Sequence, residues 1–303
     1  MNAIRLHTAN GPAGLVFEQV GTPQPGEREV LVRVHAAGIT RDELDWPVDR
    51  LPAIPSYEFS GVVAGVGSSV KNLAIGDEVY ALSSFKRDGA AADYIVVQEE
   101  IPAARPKTLD HIQSASIPLA ALTAWQGLFD HGQLTKDQRV LIHGAAGGVG
   151  HFAVQLARQC GAYVIGTVST ANISAARRLG MDKIVDNNTT LFEDVVGEVD
   201  LVFDTVGGDR LERSPAIIRR GGRLISVASE PPQESTNARG IQTLYFVVSP
   251  NREQLGRIAK LVDGGILVPV VDEVFPLFQA RDAFERSLLR HGTGKIVLRA
   301  AGV

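Results

Sequence analysis

From residue 3 to about residue 101 apolar and polar positions alternate in short runs, at 30–35, 61–66, 77–82 and 92–97, separated by Gly, Pro and Asp turns. A period of two turns one row of side chains inward, so this stretch predicts an all-β unit. Pro102, Pro106 and Pro118 punctuate its exit, and helical spacing appears over 110–115 and 120–129. Apolar strands are then predicted at 140–143, 162–168, 183–185, 200–205, 223–228 and 243–248, with helices starting at Gly148, Ala171 and Asp209. Six strands joined by crossover helices predict an α/β fold, a doubly wound parallel six-stranded sheet. A helix over 252–263 stops at Gly264-Gly265, and the segments 268–271, 280–289 and 295–298 complete the chain. These last pieces are expected to rejoin the β unit, so that a domain of residues 1–112 and 249–303 surrounds one of residues 113–248.

The stretch Val140-Leu141-Ile142-His143-Gly144-Ala145-Ala146-Gly147-Gly148-Val149-Gly150 changes the picture from fold to function. An apolar strand, a glycine turn and a helix start form a cradle for pyrophosphate, because the unpaired N–H groups of the helix's first turn face the ligand's negative charge. Ala146, Gly147, Gly148, Val149 and Gly150 are the residues placed against it. A second glycine cluster, Gly61-Val62-Val63-Ala64-Gly65-Val66-Gly67, precedes no amphipathic helix and is read as a β-turn.

Composition narrows the partners. The 303 residues are 45% hydrophobic and 21% charged with a net charge of -4, so the length suggests two cores and no basic field draws a nucleic acid. One cysteine, Cys160, excludes an internal disulfide and a four-cysteine structural zinc lobe, and fits a reducing compartment. No basic segment leads into an apolar one at the start, and no apolar run nears about eighteen residues, so a cytoplasmic protein that does not engage membranes is expected.

Several motifs, in this order, carry a family resemblance. They are Ala37-Gly38-Ile39, Pro55-Ser56-Tyr57-Glu58-Phe59-Ser60-Gly61, Gly76-Asp77-Glu78-Val79-Tyr80 and Leu122-Thr123-Ala124-Trp125. The glycine turn, Phe203-Asp204-Thr205-Val206-Gly207-Gly208 and Gly292-Thr293-Gly294-Lys295-Ile296-Val297 complete the set. The chain resembles the medium-chain dehydrogenase/reductase superfamily, in its zinc-free quinone oxidoreductase branch. The resemblance implies a GroES-like β domain interrupted by a Rossmann domain, an active site in the cleft between them, and a homodimer paired through the edge strand at 243–248. It also implies Thr40, Glu43 and Tyr57 at cleft positions, and Thr123 as a contact on the nicotinamide side. Thr205 and Val206 follow the fourth strand at the carboxyl edge, where such sheets bind ligands, and Val227, Ala228 and Phe246 are expected to flank the nicotinamide.

Zinc-dependent relatives bind the metal through a Cys after the Gly-Ile step and a His before a Glu; here those positions hold Thr40 and Tyr57. Neither is a usual zinc ligand, so no metal is expected. The Tyr-x-x-x-Lys pair of short-chain reductases is missing, since the five tyrosines are followed four residues later by Gly61, Ser84, Gln98, Thr167 and Ser249.

The second strand ends Gly166-Thr167-Val168-Ser169-Thr170 without the acid that holds an NAD ribose, so NADPH is expected, its 2′-phosphate meeting Ser169 and Thr170. Ile173 stands where the family commonly has Lys, and Arg177 and Arg178 are the remaining nearby cations. Without zinc or a tyrosine-lysine pair the β domain offers no strong acid to activate an alcohol. The expected reaction is hydride transfer from NADPH to a quinone or to the β-carbon of an α,β-unsaturated carbonyl, with Thr40 and Tyr57 donating to the substrate oxygen. Asp45-Trp46-Pro47 is placed as a rim for a planar substrate. Two alternatives remain at this point: a zinc alcohol dehydrogenase with atypical ligands, and a non-catalytic NADPH-binding protein with a structural or regulatory role.

Overall fold

The computed structural model describes residues 1–289 and 292–300. Residues 290–291 and 301–303, assigned above to the β domain, lie outside the described residues. Seven strands come first: β1 (Asn2–Leu6), β2 (Leu15–Gln19), β3 (Glu29–Ile39), β4 (Glu58–Val66), β5 (Glu78–Leu82), β6 (Tyr94–Gln98) and β7 (Ala103–Ala104). Then follow β8 (Arg139–His143), β9 (Tyr163–Val168), β10 (Lys183–Asp186), β11 (Val199–Asp204), β12 (Ile218–Ser226) and β13 (Gln242–Tyr245), and finally β14 (Val271–Pro276) and β15 (Lys295–Arg299). The contacts divide the chain into two compact units.

The first unit comprises Met1–Leu119, Ser249–Gly265 and Pro269–Val303. Its main sheet runs β14-β15-β3-β4-β5-β7, with β6 also paired to β3, while β1 and β2 form a separate antiparallel pair. The alternation of β3 sends Val30, Val32 and Val34 into one core with Phe59, Val63, Val79, Ile95 and Val97. Each such side chain contributes about 1.5–3 kcal/mol by leaving water. The run 61–66, one of the alternating segments above, is a strand as that alternation predicts, and the turn reading of its glycines fails: Gly61 pairs with Val34 on one side and Val79 on the other. Two-sided pairing overrides the turn signal of its glycines.

The first boundary falls between Leu119 and Ala120, not at 112/113. The helix His111–Ala115, closed by a capping box between Asp110 and Gln113, packs on β3 and β4. The Leu119 amide then donates to Glu58 Oε2 at 2.8 Å, keeping seven more residues with the first unit. Likewise 268–271 does not rejoin the first unit over its whole length. Val268 exchanges hydrogen bonds with the Gln155 amide and lies in the second unit, and the strand begins at Val271.

The second unit, Ala120–Val248 with Ile266–Val268, is the expected parallel sheet, in the order β10-β9-β8-β11-β12-β13. Its central strands are apolar on both faces, as a sheet covered by helices requires: Val140, Leu141, Ile142, Leu201, Val202 and Phe203 are all buried. The chain winds outward from β8 to β10, then crosses back to β11. The reversal lies between β8 and β11, where sheets of this kind open a crevice at their carboxyl edge. Predicted helices are shorter than their patterns. The one from Gly148 begins at Gly150, the one from Ala171 is a 3-10 turn followed by Ile173–Leu179, and the one from Asp209 ends at Arg213, just before Pro215. The pattern over 120–129 becomes an α-helix, Pro118–Trp125, that widens into a π-helix over Gln126–His131. The sixth strand is only Gln242–Tyr245.

Candidate functional site

The cradle residues of the second unit come together as the spacing implies. After β8 the chain turns at Gly144, Gly147 N donates back to Gly144 O at 2.9 Å, and the helix Gly150–Cys160 starts one residue after Val149. A Cβ on Gly150 would lie 2.1 Å from Gly144 O, so only glycine lets the helix sit this close to the strand's exit. Among the described residues the half-buried amides of Gly148 and Val149 have no hydrogen-bond partner. Two unpartnered donors at a helix start suit a pyrophosphate. Ala146 is buried beside them. His151 Nδ1 lies 2.9 Å from Gly147 O and braces the turn from below. His143, which ends β8, sits between the hydroxyls of Thr167 and Ser214 at 3.0 Å each. Burial pushes its pKa down to about 3, so it is a neutral structural group.

At the end of β9, Ser169 Oγ is buried without a hydrogen-bond partner among the described residues. Thr170 Oγ1 is engaged: it donates to both oxygens of Asp186, at 3.0 and 2.8 Å, and accepts from Asn188. The second strand lacks an acid, as its sequence says, yet the fold brings one from the end of β10. Arg177 and Arg178 lie exposed in the last turn of Ile173–Leu179, at the opposite end of that helix from Thr170.

At the carboxyl edge of β11, Thr205 Oγ1 donates to His143 O at 2.8 Å and ties the two strand ends across the reversal. Sequence reasoning gave no role to Asp204. Its buried carboxylate accepts from the Val206 and Gly207 amides and from Ser226 Oγ, holding the loop that carries Thr205 and Val206. Burial raises its pKa against those hydrogen bonds. Val206 is exposed; Val227 donates its amide to Asp204 O, and Ala228 follows as an exposed residue. Thr123 is buried on Pro118–Trp125, and Phe246 is buried with its ring 4.6 Å from that of His131.

In the first unit a compact polar group forms where β3, β4 and β15 adjoin. Thr40 N donates to Glu43 Oε2 at 3.1 Å, and Ser56 N donates to Glu43 Oε1 at 3.1 Å. Glu43 is fully buried, which lifts its pKa to about 8 even though Lys295 pulls it down. It is therefore a neutral carboxyl over most of the physiological range. Lys295 Nζ donates to Thr40 Oγ1 at 3.0 Å and lies 2.6 Å from Glu58 Oε1. Lys295 and Glu58 appear in the motifs above with no role attached. Their meeting was readable only through the antiparallel register, which sets Ile296 opposite Ile39 and hence Lys295 opposite Thr40.

Tyr57 stands apart from this group. Its hydroxyl accepts from Arg50 Nη2 at 2.8 Å, and its ring lies 5.7 Å from Trp46 and 5.3 Å from Phe85. Burial drives its pKa up to about 12, so it stays protonated. Trp46, the expected rim residue, is the exposed member of this aromatic trio. The two positions at which zinc-dependent relatives carry Cys and His thus hold hydroxyls that each accept from a cation, Lys295 at Thr40 and Arg50 at Tyr57. That donor set does not fit a divalent metal.

Comparison with known proteins agrees with this layout. Residues 26–107 match the family described as alcohol dehydrogenase GroES-like domain, and residues 179–298 match that described as zinc-binding dehydrogenase. The NADPH-dependent alkenal/one oxidoreductase of Arabidopsis thaliana chloroplasts is 34% identical, over 91% of this chain and 73% of its own length. The quinone oxidoreductase of Coxiella burnetii is 30% identical with a TM-score of 0.93, over 99% of both chains. The Escherichia coli quinone oxidoreductase, solved in complex with NADPH, is 26% identical with a TM-score of 0.90, over 99% of this chain and 100% of its own. No helix among the described residues is long and apolar enough to cross a membrane. With the GroES-like and Rossmann units, their motifs and these relatives all in agreement, the chain belongs to the medium-chain dehydrogenase/reductase superfamily, in its quinone oxidoreductase-like branch.

Proposed function

We propose that this protein is an NADPH-dependent oxidoreductase that reduces a quinone or the alkene of an α,β-unsaturated ketone or aldehyde, without zinc. The carrying observation is the cradle at the sheet's reversal, with free amides at Gly148 and Val149 and an unpartnered hydroxyl at Ser169. NADPH, when bound, supplies the hydride. Ala146, Gly147, Gly148, Val149 and Gly150 would hold its pyrophosphate, and Ser169 and Thr170 its 2′-phosphate. Thr123, Thr205, Val206, Val227, Ala228 and Phe246 are assigned to the nicotinamide side, with Asp204 shaping their loop.

Thr40 donates a hydrogen bond to the substrate oxygen as negative charge gathers there. Glu43 fixes the Thr40 backbone. Tyr57 acts by packing against Trp46 rather than by direct donation, because it is wholly buried. The names of the Arabidopsis and E. coli relatives support both the acceptor class and the coenzyme. The exposed edge strand β13, with Leu244 and Tyr245 on its surface, is assigned to a homodimer, and the single, half-buried Cys160 suits the cytoplasm.

The test is to titrate the purified protein with NADPH and NADH, then follow NADPH loss with a naphthoquinone, a 2-alkenal and a saturated aldehyde, with and without a chelator. Turnover of the first two but not the third, unchanged by chelator, is expected. Failure to bind either coenzyme overturns the reading, and binding without turnover of any acceptor leaves a dinucleotide-binding protein.

A further inference from the structure

The first unit holds a buried charge pair that the coenzyme cradle does not need. Lys295 and Glu58 side chains are 6% and 1% exposed, and both reach the end of β3 from its two neighbouring strands. Burying two charges is costly unless both are paired and further satisfied. Here the satisfaction is arranged around one hydroxyl. Glu58 accepts from the Leu119 amide and faces the ammonium; the ammonium in turn donates to Thr40 Oγ1. Space for the carboxylate comes from Gly38, where a Cβ would lie 2.7 Å from Glu58 Oε1.

A threonine hydroxyl rotates freely and both donates and accepts. With a cation seated on its oxygen, its proton is committed to point away from that cation. Among the described residues that proton has no acceptor. The cation also makes the O–H a stronger donor, since the charge that builds on a substrate oxygen is felt through it by the ammonium.

We propose that Lys295, anchored by Glu58, is a positioning residue that turns Thr40 into a dedicated donor for an oxyanion, the enolate or hydroquinone oxygen formed on reduction. The inference rests on the assignment of Thr40 above and extends it to two residues that do not touch the substrate. No covalent step is added: the bond from Thr40 is a hydrogen bond, and the proton that completes the product is taken from water.

The experiment compares the wild type, Thr40→Ala, Lys295→Arg, the charge-neutral double variant Lys295→Met/Glu58→Gln, and the triple variant. Neutralising both partners avoids stranding one buried charge, and a thermal melt confirms folding of each. The first readout is the binding of 4-nitrophenolate, an oxyanion mimic, against its uncharged analogue nitrobenzene. The double variant is expected to weaken phenolate binding about 10-fold or more while leaving nitrobenzene within about twofold. With the Thr40 hydroxyl already removed, the same double change is expected to alter phenolate binding less than about twofold, because its effect runs through Thr40. Lys295→Arg is expected to recover most of the affinity. The second readout is turnover of the 2-alkenal, where kcat is expected to fall about 10- to 100-fold with the NADPH Kd unchanged. Equal losses with and without the Thr40 hydroxyl, or unchanged phenolate affinity in the double variant, overturn the proposal. The phenolate titration requires no turnover, so a failure of hydride transfer and a failure of this inference are separate results.

Discussion

Thr170 Oγ1 donates to the Asp186 carboxylate at 2.8 Å, setting an anion from the third strand of the parallel sheet beside the hydroxyls assigned to a 2′-phosphate. Like charges so placed repel, and the nearest cations of the following helix, Arg177 and Arg178, sit in its far turn. On the assignment proposed above, the coenzyme preference reflects opposing contributions, the unpartnered Ser169 hydroxyl favouring phosphate and Asp186 opposing it. Asp186→Asn is expected to tighten NADPH binding about three- to tenfold, a surface-range electrostatic effect of about 1 kcal/mol, and to leave NADH within about twofold. Fluorescence titration of both coenzymes at low and moderate salt checks it; equal changes for the two would remove Asp186 from the discrimination.

Gly150 tests the cradle itself. An added methyl would meet the Gly144 carbonyl, a backbone atom with little freedom to yield, so Gly150→Ala must push the helix start off the strand exit. The expected cost is about 1–3 kcal/mol of stability and a loss of at least tenfold in NADPH affinity. Gly256, where an added Cβ would meet nothing within 4 Å and the backbone is an ordinary helix, offers a control outside the cradle.

Glu43 gives a pH signature. Its pKa rises from 4.5 to about 8 on folding, so between those values the folded protein keeps a proton that the unfolded chain releases. Its contribution to stability is complete below about pH 4.5 and lost as pH climbs through about 8. Glu43→Gln, which cannot ionise and keeps one of the two amide hydrogen bonds through its side-chain oxygen, is expected to flatten that decline in urea unfolding curves recorded across the window. A decline of the same slope in the variant would assign the pH dependence elsewhere.

The His35 and His111 rings, 4.2 Å apart, act at the other end of the scale. Burial foremost, and then the neighbouring His35 and Arg105, push His111 down to about 4. The unfolded chain binds a proton near pH 6.5 that the folded one refuses, so stability falls as pH drops from about 6.5 through about 4. His111→Gln is expected to lessen that acid sensitivity, measured as the change in Tm between neutral pH and pH 5.

Much of this protein was legible in its residues because the signals were local. The apolar run of 140–143, the glycine turn and the helix after it form one short piece of chain, and the structure holds them as one piece. The two-residue alternation of 30–35 likewise foretold β3. What escaped depended on contacts distant in sequence. The segment 61–67 carried two conflicting signals, alternation for a strand and glycines for a turn, which only pairing on both sides decides, and the boundary at Leu119 followed from one hydrogen bond to Glu58. Asp186 lies on the next strand, sixteen residues beyond Thr170, and only the parallel pairing of β9 and β10 makes the two neighbours. Lys295 stood in a motif of the family resemblance, but nothing local to it pointed to Thr40, its partner across the sheet.

The polar group around Thr40 is assembled from opposite ends of the polypeptide, Thr40 and Lys295 being 255 residues apart. During synthesis the parallel-sheet unit, almost wholly contiguous, is in hand before the strand bearing Lys295 emerges. Until then Glu58 lacks the cation it faces in the complete fold. A chain interrupted before its last strand would therefore hold every residue assigned above to the dinucleotide while lacking the cation that sits on the Thr40 oxygen.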